Sequence, residues 1–195
     1  LVGIFLHDNF ARSTKRGGAW MSAYRLQSRI AGDVLPIIVN NNNFAKGAPG
    51  EPTLLSLDDA LTLFHEFGHG LHGLLSQVTF ESLSGTQVLR DFVELPSQIF
   101  ENWLLEPQVL KRHARHVETG EPMPDDLIER LEQARRFNQG FETVEYTACA
   151  LVDMALHAKR DVNGIDFTAF ERDELARIGM PREIVLRHRL PHFGH

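Results

Sequence analysis

Ser56-Leu57-Asp58-Asp59-Ala60-Leu61-Thr62-Leu63-Phe64-His65-Glu66-Phe67-Gly68-His69-Gly70-Leu71-His72-Gly73-Leu74-Leu75-Ser76 is the stretch on which the reading of this chain turns. Ser56 followed three residues later by Asp59 is a capping-box pattern, with Asp in place of the usual Glu. Apolar residues at 57, 60, 61, 64, 67, 71, 74 and 75 then keep a 3.6-residue period as far as Ser76, which predicts one amphipathic helix. His65 and His69 are four apart on that helix, so their rings share a face, one turn apart. Two imidazoles so placed reach a single Zn²⁺ at about 2.0–2.1 Å each. Glu66 is turned about 100° from His65. It can lie beside such a metal without ligating it, close enough to take a proton from water, which is the general-base position of metal-assisted hydrolysis. The competing reading is a metal-free pair of histidines on an amphipathic helix. Leu63, Phe64, Phe67 and Leu71 flank the pair, so the rings border a core, where imidazoles need partners and a metal serves both.

A catalytic zinc takes three protein ligands and keeps a position open for water. Downstream candidates for the third ligand are His72, Glu81, Asp91, Glu94 and Glu101. His72 falls about 300° round the helix from His69 and cannot join a tetrahedral site without distortion. Glu94 is better placed, at the start of the next expected helix, where a hairpin of two helices returns a carboxylate. Glu101, seven residues on, shares its face and suits a partner for the free ring N–H of a ligating histidine; the alternative is a solvated helix glutamate.

Outward from this core, residues 1–50 read as a small sheet and loops. Leu1–Leu6 and Val34–Val39 are apolar runs, and Trp20–Ile30 is a further strand candidate. Pro36 cannot donate to a ladder, which puts the Val34–Val39 strand at a sheet edge. Asn40–Asn43, followed by Gly47, Pro49, Gly50 and Pro52, reads as loop. Residues 56–190 read as helical. A second helix runs from near Glu94 through Trp103, with Pro96 in its first turn. Further helices are expected at Gln108–Glu118, at Leu127–Phe137 capped by Asp125 and Asp126, at Phe141–Arg160 and at Thr168–Ile178. The expected fold class is mainly α, with a small antiparallel β-sheet near the N-terminus.

The 195 residues suit one domain, and 43% apolar with 24% charged residues is ordinary for a globular protein. A net charge of −6 argues against nucleic acid, whose phosphates attract cationic surfaces. The opening apolar run is too short to span a membrane and lacks the basic start and cleavage site of a signal peptide. The single cysteine, Cys149, cannot close an internal disulfide and reads as a small buried residue. The expectation is a cytoplasmic protein with neither nucleic-acid nor membrane partners; no feature speaks for one oligomeric state over another. A start at Leu1 and an end at Phe193-Gly194-His195 suggest an excised piece of a longer chain.

Several segments together resemble the thimet oligopeptidase family of zinc peptidases, of gluzincin type. They are His65-Glu66-Phe67-Gly68-His69, Leu83-Ser84-Gly85-Thr86, Arg90-Asp91-Phe92-Val93-Glu94-Leu95-Pro96-Ser97-Gln98 and Glu101-Asn102-Trp103. Phe10-Ala11-Arg12 through Lys15-Arg16-Gly17-Gly18-Ala19-Trp20, Pro107-Gln108-Val109 and Arg115-His116 extend the likeness over nearly the whole chain. Within the family the run looks most like the bacterial peptidyl-dipeptidase and oligopeptidase A branch. The resemblance implies a partial zincin-like catalytic domain with one Zn²⁺ per chain, ligated by His65, His69 and Glu94, and Glu66 activating water. It also implies that His195 helps hold the oxyanion, although the tyrosines that follow that histidine in the family are absent here. It implies short peptides as substrates, with dipeptides released from their C-termini by the intact enzyme and weak or no activity in this piece. The alternatives are an endo-acting oligopeptidase of the same family and, from another class, a helical module with a structural metal.

Overall fold

The computed structural model describes residues 1–192. The chain divides into two compact units, one of Leu1–Ile128 and one from Glu129 onward. The first holds the sheet and the helix that opened the sequence reading.

Three strands form the sheet: β1 (Ile4–Phe10), β2 (Trp20–Arg25) and β3 (Ile37–Phe44). Their order is β1-β3-β2, with β3 parallel to β1 and antiparallel to β2. The small N-terminal sheet is therefore present, but mixed rather than wholly antiparallel, and the strand expected at an edge lies at its centre. Both differences have one cause. Pro36 sits one residue ahead of β3, so its missing N–H falls outside the ladder, while its carbonyl accepts from Ile4 N at 2.9 Å. Two chain reversals before β3 leave it running in the direction of β1, and insertion between the other strands then forces one parallel pairing.

Asn40–Asn43 is not loop either; it is the middle of β3. Asn40 and Asn42 are fully buried. Asn42 Nδ2 donates to Asn9 Oδ1 at 3.2 Å, and Asn43 Nδ2 donates to the carbonyls of Arg16 and Gly18 at 2.7 Å each. These amides fasten the connection between β1 and β2. Lys15, its side chain 2% exposed, secures the same connection by donating to the carbonyls of Asp8, Phe10 and Asn42 and pairing with the Asp8 carboxylate.

Helix α1 (Leu57–Leu74) lies against β3 and has the expected start. Ser56 Oγ accepts from Asp59 N at 3.0 Å, and Asp59 Oδ2 accepts from Ser56 N at 3.1 Å. Close packing on the sheet is possible because position 73 has no side chain: a Cβ there would meet Ile38 Cδ1 at 2.7 Å. After a 3₁₀ turn at Glu81–Leu83, a short helix α2 (Arg90–Val93) precedes α3 (Leu95–Leu104), whose first turn accommodates Pro96. Phe67 packs edge-on to Phe5 and Phe100, at 5.2 and 5.7 Å between centroids, while Phe64 stacks on Phe100 at 5.5 Å. This aromatic cluster joins β1, α1 and α3.

Helix α4 (Pro107–His113) ends earlier than expected because Ala114 is extended and Arg115 bridges to Pro122 around Gly120. Helix α5 (Asp125–Arg136) has both aspartates inside its first turn, where they favour the positive helix end. Asn138, at φ 56°, separates it from α6 (Gln139–His157). Helix α7 (Phe167–Arg177) is capped by Asp166, which accepts from Thr168 N and Ala169 N. In the second unit Ala148, Cys149, Val152, Leu175 and Leu186 form the buried core, so Cys149 is the apolar packing residue expected. Among the described residues no helix is long and apolar enough to cross a membrane.

Candidate metal centre

Helices α1 and α3 cross at one very close point. A Cβ on Gly68 would lie 2.6 Å from Ser97 Cα and 2.7 Å from the Pro96 carbonyl oxygen. Only glycine permits this approach; Gly68 sits between the two histidines on α1, and Ser97, which it meets on α3, is three residues from Glu94. Gly68→Ala therefore has to push rigid backbone apart. Its expected cost is the upper part of the overpacking range, about 1–3 kcal/mol, read as a lowered urea midpoint; an unchanged midpoint would show that the crossing yields freely.

The crossing brings His65, His69 and Glu94 together, one ligand atom from each lying within 4.8 Å of the others. Glu94 Oε2 is 3.1 Å from His65 Nε2 and 3.1 Å from His69 Nε2. The rings stand almost perpendicular, 4.9 Å apart at 82°. Donors around a tetrahedral metal with bonds of about 2.0–2.1 Å are separated by about 3.3 Å, close to the spacing found. His65 Nδ1 donates to Glu101 Oε1 at 2.7 Å. A carboxylate only accepts, so Nδ1 carries a proton, and in the neutral form of the ring Nε2 has the free lone pair, turned toward Glu94. In that form two lone pairs held face to face fit a cation between them. His72 stays out of this group: its ring meets Phe92 edge-on at 6.3 Å and its Nδ1 is buried without a hydrogen-bond partner.

Charge states agree with that fit. Burial pushes His69 below the ordinary imidazole value and outweighs the pull of Glu94, leaving a neutral donor. Partial burial pushes the Glu94 carboxyl up, but the Ser97 hydroxyl and the two histidines overcome it and hold the group below its usual range. Glu66 stands alongside, 5% exposed, with Oε2 unpartnered.

Burial pushes the Glu66 carboxyl from 4.5 up to about 7, the nearby Glu94 adding to the rise and His65 opposing it. The folded metal-free chain thus holds this proton more tightly than the unfolded chain. The resulting stability is fully present below 4.5 and lost as pH rises through about 7. Glu66→Gln cannot titrate. The unfolding free energy of the parent minus that of this variant should fall by about 3 kcal/mol between about pH 4 and 8. A flat difference would mean that the carboxylate is solvated.

A family model, peptidase family M3, matches residues 1–195. The chain belongs to peptidase family M3. M3 peptidases are metallopeptidases, and the His65–His69–Glu94 group is the metal-competent cluster among the described residues of this M3 chain. It is 44% identical over 197 residues to dipeptidyl carboxypeptidase of Salmonella typhimurium, covering 100% of this chain and 29% of that protein. It is 41% identical over 162 residues to oligopeptidase A of Escherichia coli, covering 82% and 24% respectively. A thimet-like oligopeptidase of Dictyostelium discoideum is 35% identical over 167 residues, with 84% of this chain and 25% of that protein covered. The chain thus spans less than a third of the length of these relatives.

Of the residues singled out from sequence, Glu66, His65, His69, Glu94 and Glu101 lie in one place. His195 lies outside the described residues. Ser97 lies within the Arg90–Gln98 segment that carries the resemblance without being marked as a site residue, yet its hydroxyl touches the Glu94 carboxylate.

Proposed function

We propose that these residues are part of the catalytic domain of a longer zinc peptidase that cleaves short peptides and releases C-terminal dipeptides. The observation that carries the reading is the convergence of Glu94 Oε2 on both imidazole Nε2 atoms, with the unpartnered Glu66 Oε2 on the same helix as the histidines. His65, His69 and Glu94 would hold one Zn²⁺, which when bound lowers the pKa of water towards about 7 and polarises a carbonyl.

This chain's residues then divide the work. Glu101 keeps His65 in the tautomer that presents Nε2. Glu66 takes the proton of the attacking water at Oε2 and returns it to the departing amine nitrogen. A carboxyl brought near neutrality by burial is suited to both transfers. His195, by resemblance, steadies the carbonyl oxygen as charge grows on it. Dipeptide release is supported by the dipeptidyl carboxypeptidase relatives, whose match runs the length of this chain. The reading includes a cytoplasmic setting, in keeping with a single cysteine.

Hydrolysis of a peptide with a free C-terminus, compared with its C-terminal amide and followed by mass spectrometry, tests the dipeptide release. Dipeptides from the free acid alone support it; equal internal cleavage of both peptides would replace it with the endo-acting reading.

A further inference from the structure

One fully buried hydroxyl beside the metal centre has no part in the mechanism above. Ser97 is inaccessible to solvent, and its Oγ lies 2.7 Å from Glu94 Oε2 and 3.0 Å from the Glu94 carbonyl oxygen. The carboxylate is the stronger acceptor. The oxygen so held is the one that stands 3.1 Å from both imidazoles. The Glu94 side chain is otherwise 40% exposed, with space to swing toward solvent. Ser97 is also where α3 meets α1, its Cα directly under Gly68. One residue therefore sets both the closeness of the helices and the direction of the carboxylate.

We propose that Ser97 is the positioning residue for the third metal ligand, its hydroxyl holding Glu94 Oε2 turned into the gap between His65 and His69. The proposal rests on the metal reading above. Ser97 touches neither substrate nor metal; it acts through Glu94. Without the hydroxyl the carboxylate samples other rotamers, and each metal-binding event must first gather it back. Outer partners of metal ligands commonly contribute about 10–100-fold to affinity.

The test is Zn²⁺ affinity of the chain, measured by competition with a chromophoric chelator, alongside the urea midpoint of the metal-free form. Ser97→Ala should weaken zinc binding about 10–100-fold while leaving the metal-free midpoint little changed. Ser97→Thr, which keeps the hydroxyl, should restore most of the loss. In a Glu94→Ala background, which has no side-chain acceptor left, Ser97→Ala should add nothing further, an outcome a purely structural serine would not give. Ser97→Gly removes the same side chain and gives the reading if the alanine variant does not fold. Parent-like affinity of Ser97→Ala, or an equal loss in the Glu94→Ala background, would overturn the proposal and leave the metal reading standing. A parent chain that takes up no zinc would overturn both.

Discussion

Glu94→Ala should reduce Zn²⁺ affinity by two to three orders of magnitude and leave the chain folded. Structural zinc sites bind with about 10–16 kcal/mol through four ligands, so each ligand accounts for about 2.5–4 kcal/mol, or about 10²–10³ in the dissociation constant. Glu94 lies 25 residues beyond His69 and reaches the site only through the α1–α3 crossing. Its loss therefore tests the tertiary arrangement, which the local His65–His69 spacing does not. Its side chain is 40% exposed, so removing it opens no large cavity, and folding should survive. His65→Ala and His69→Ala should weaken binding comparably. Equilibrium competition at fixed pH measures all three. Zinc affinity within a factor of a few of the parent in Glu94→Ala would mean that the carboxylate is a bystander and that the metal takes another third ligand.

Glu66→Gln should separate binding from chemistry. The amide keeps the shape of the side chain and removes its ability to accept a proton. Peptide hydrolysis by the full-length enzyme should fall by about 10²–10⁴, the range for loss of a positioned general base, while zinc stays at one per chain. The proton is the reason for expecting so large an effect. Glu66 Oε2 is buried without a hydrogen-bond partner, a costly state for a group that does nothing. Metal analysis and initial rates on the same preparation are the measurement. If zinc and rate fell together, Glu66 would be a ligand or a fold determinant; if neither changed, the base would lie elsewhere. A structural metal site predicts retained zinc with no hydrolysis to lose.

How much of this was legible in the sequence follows from how local each signal is. Helix α1 was legible because its capping box and its apolar period act within a turn or two. The histidine pair and Glu66 were legible for the same reason. Glu94 and Glu101 were within reach because a helix hairpin is a simple geometry and seven residues return a side chain to the same face. β3 was misread twice because its pairing is non-local. Four consecutive asparagines carry a loop composition, yet the amides of Asn41, Asn42 and Asn43 bond to Asn9, Arg16, Gly18 and Trp20, partners 21 to 33 residues away. Strand order depends on the same distant pairings, so Pro36 suggested an edge when it only marks where the central strand begins. Ser97 stands in the segment that carries the resemblance, but its role was not legible because a serine in a helix usually serves nothing beyond its own backbone.

The central claim is an open zinc site of two imidazoles and one carboxylate. X-ray absorption at the zinc edge of the loaded chain tests it most directly. The account predicts nitrogen and oxygen neighbours only, at about 2.0–2.1 Å, with imidazole scattering from two histidines that drops to one in His69→Ala. A sulfur neighbour at about 2.3 Å, or a spectrum unchanged by removing His69, would contradict it.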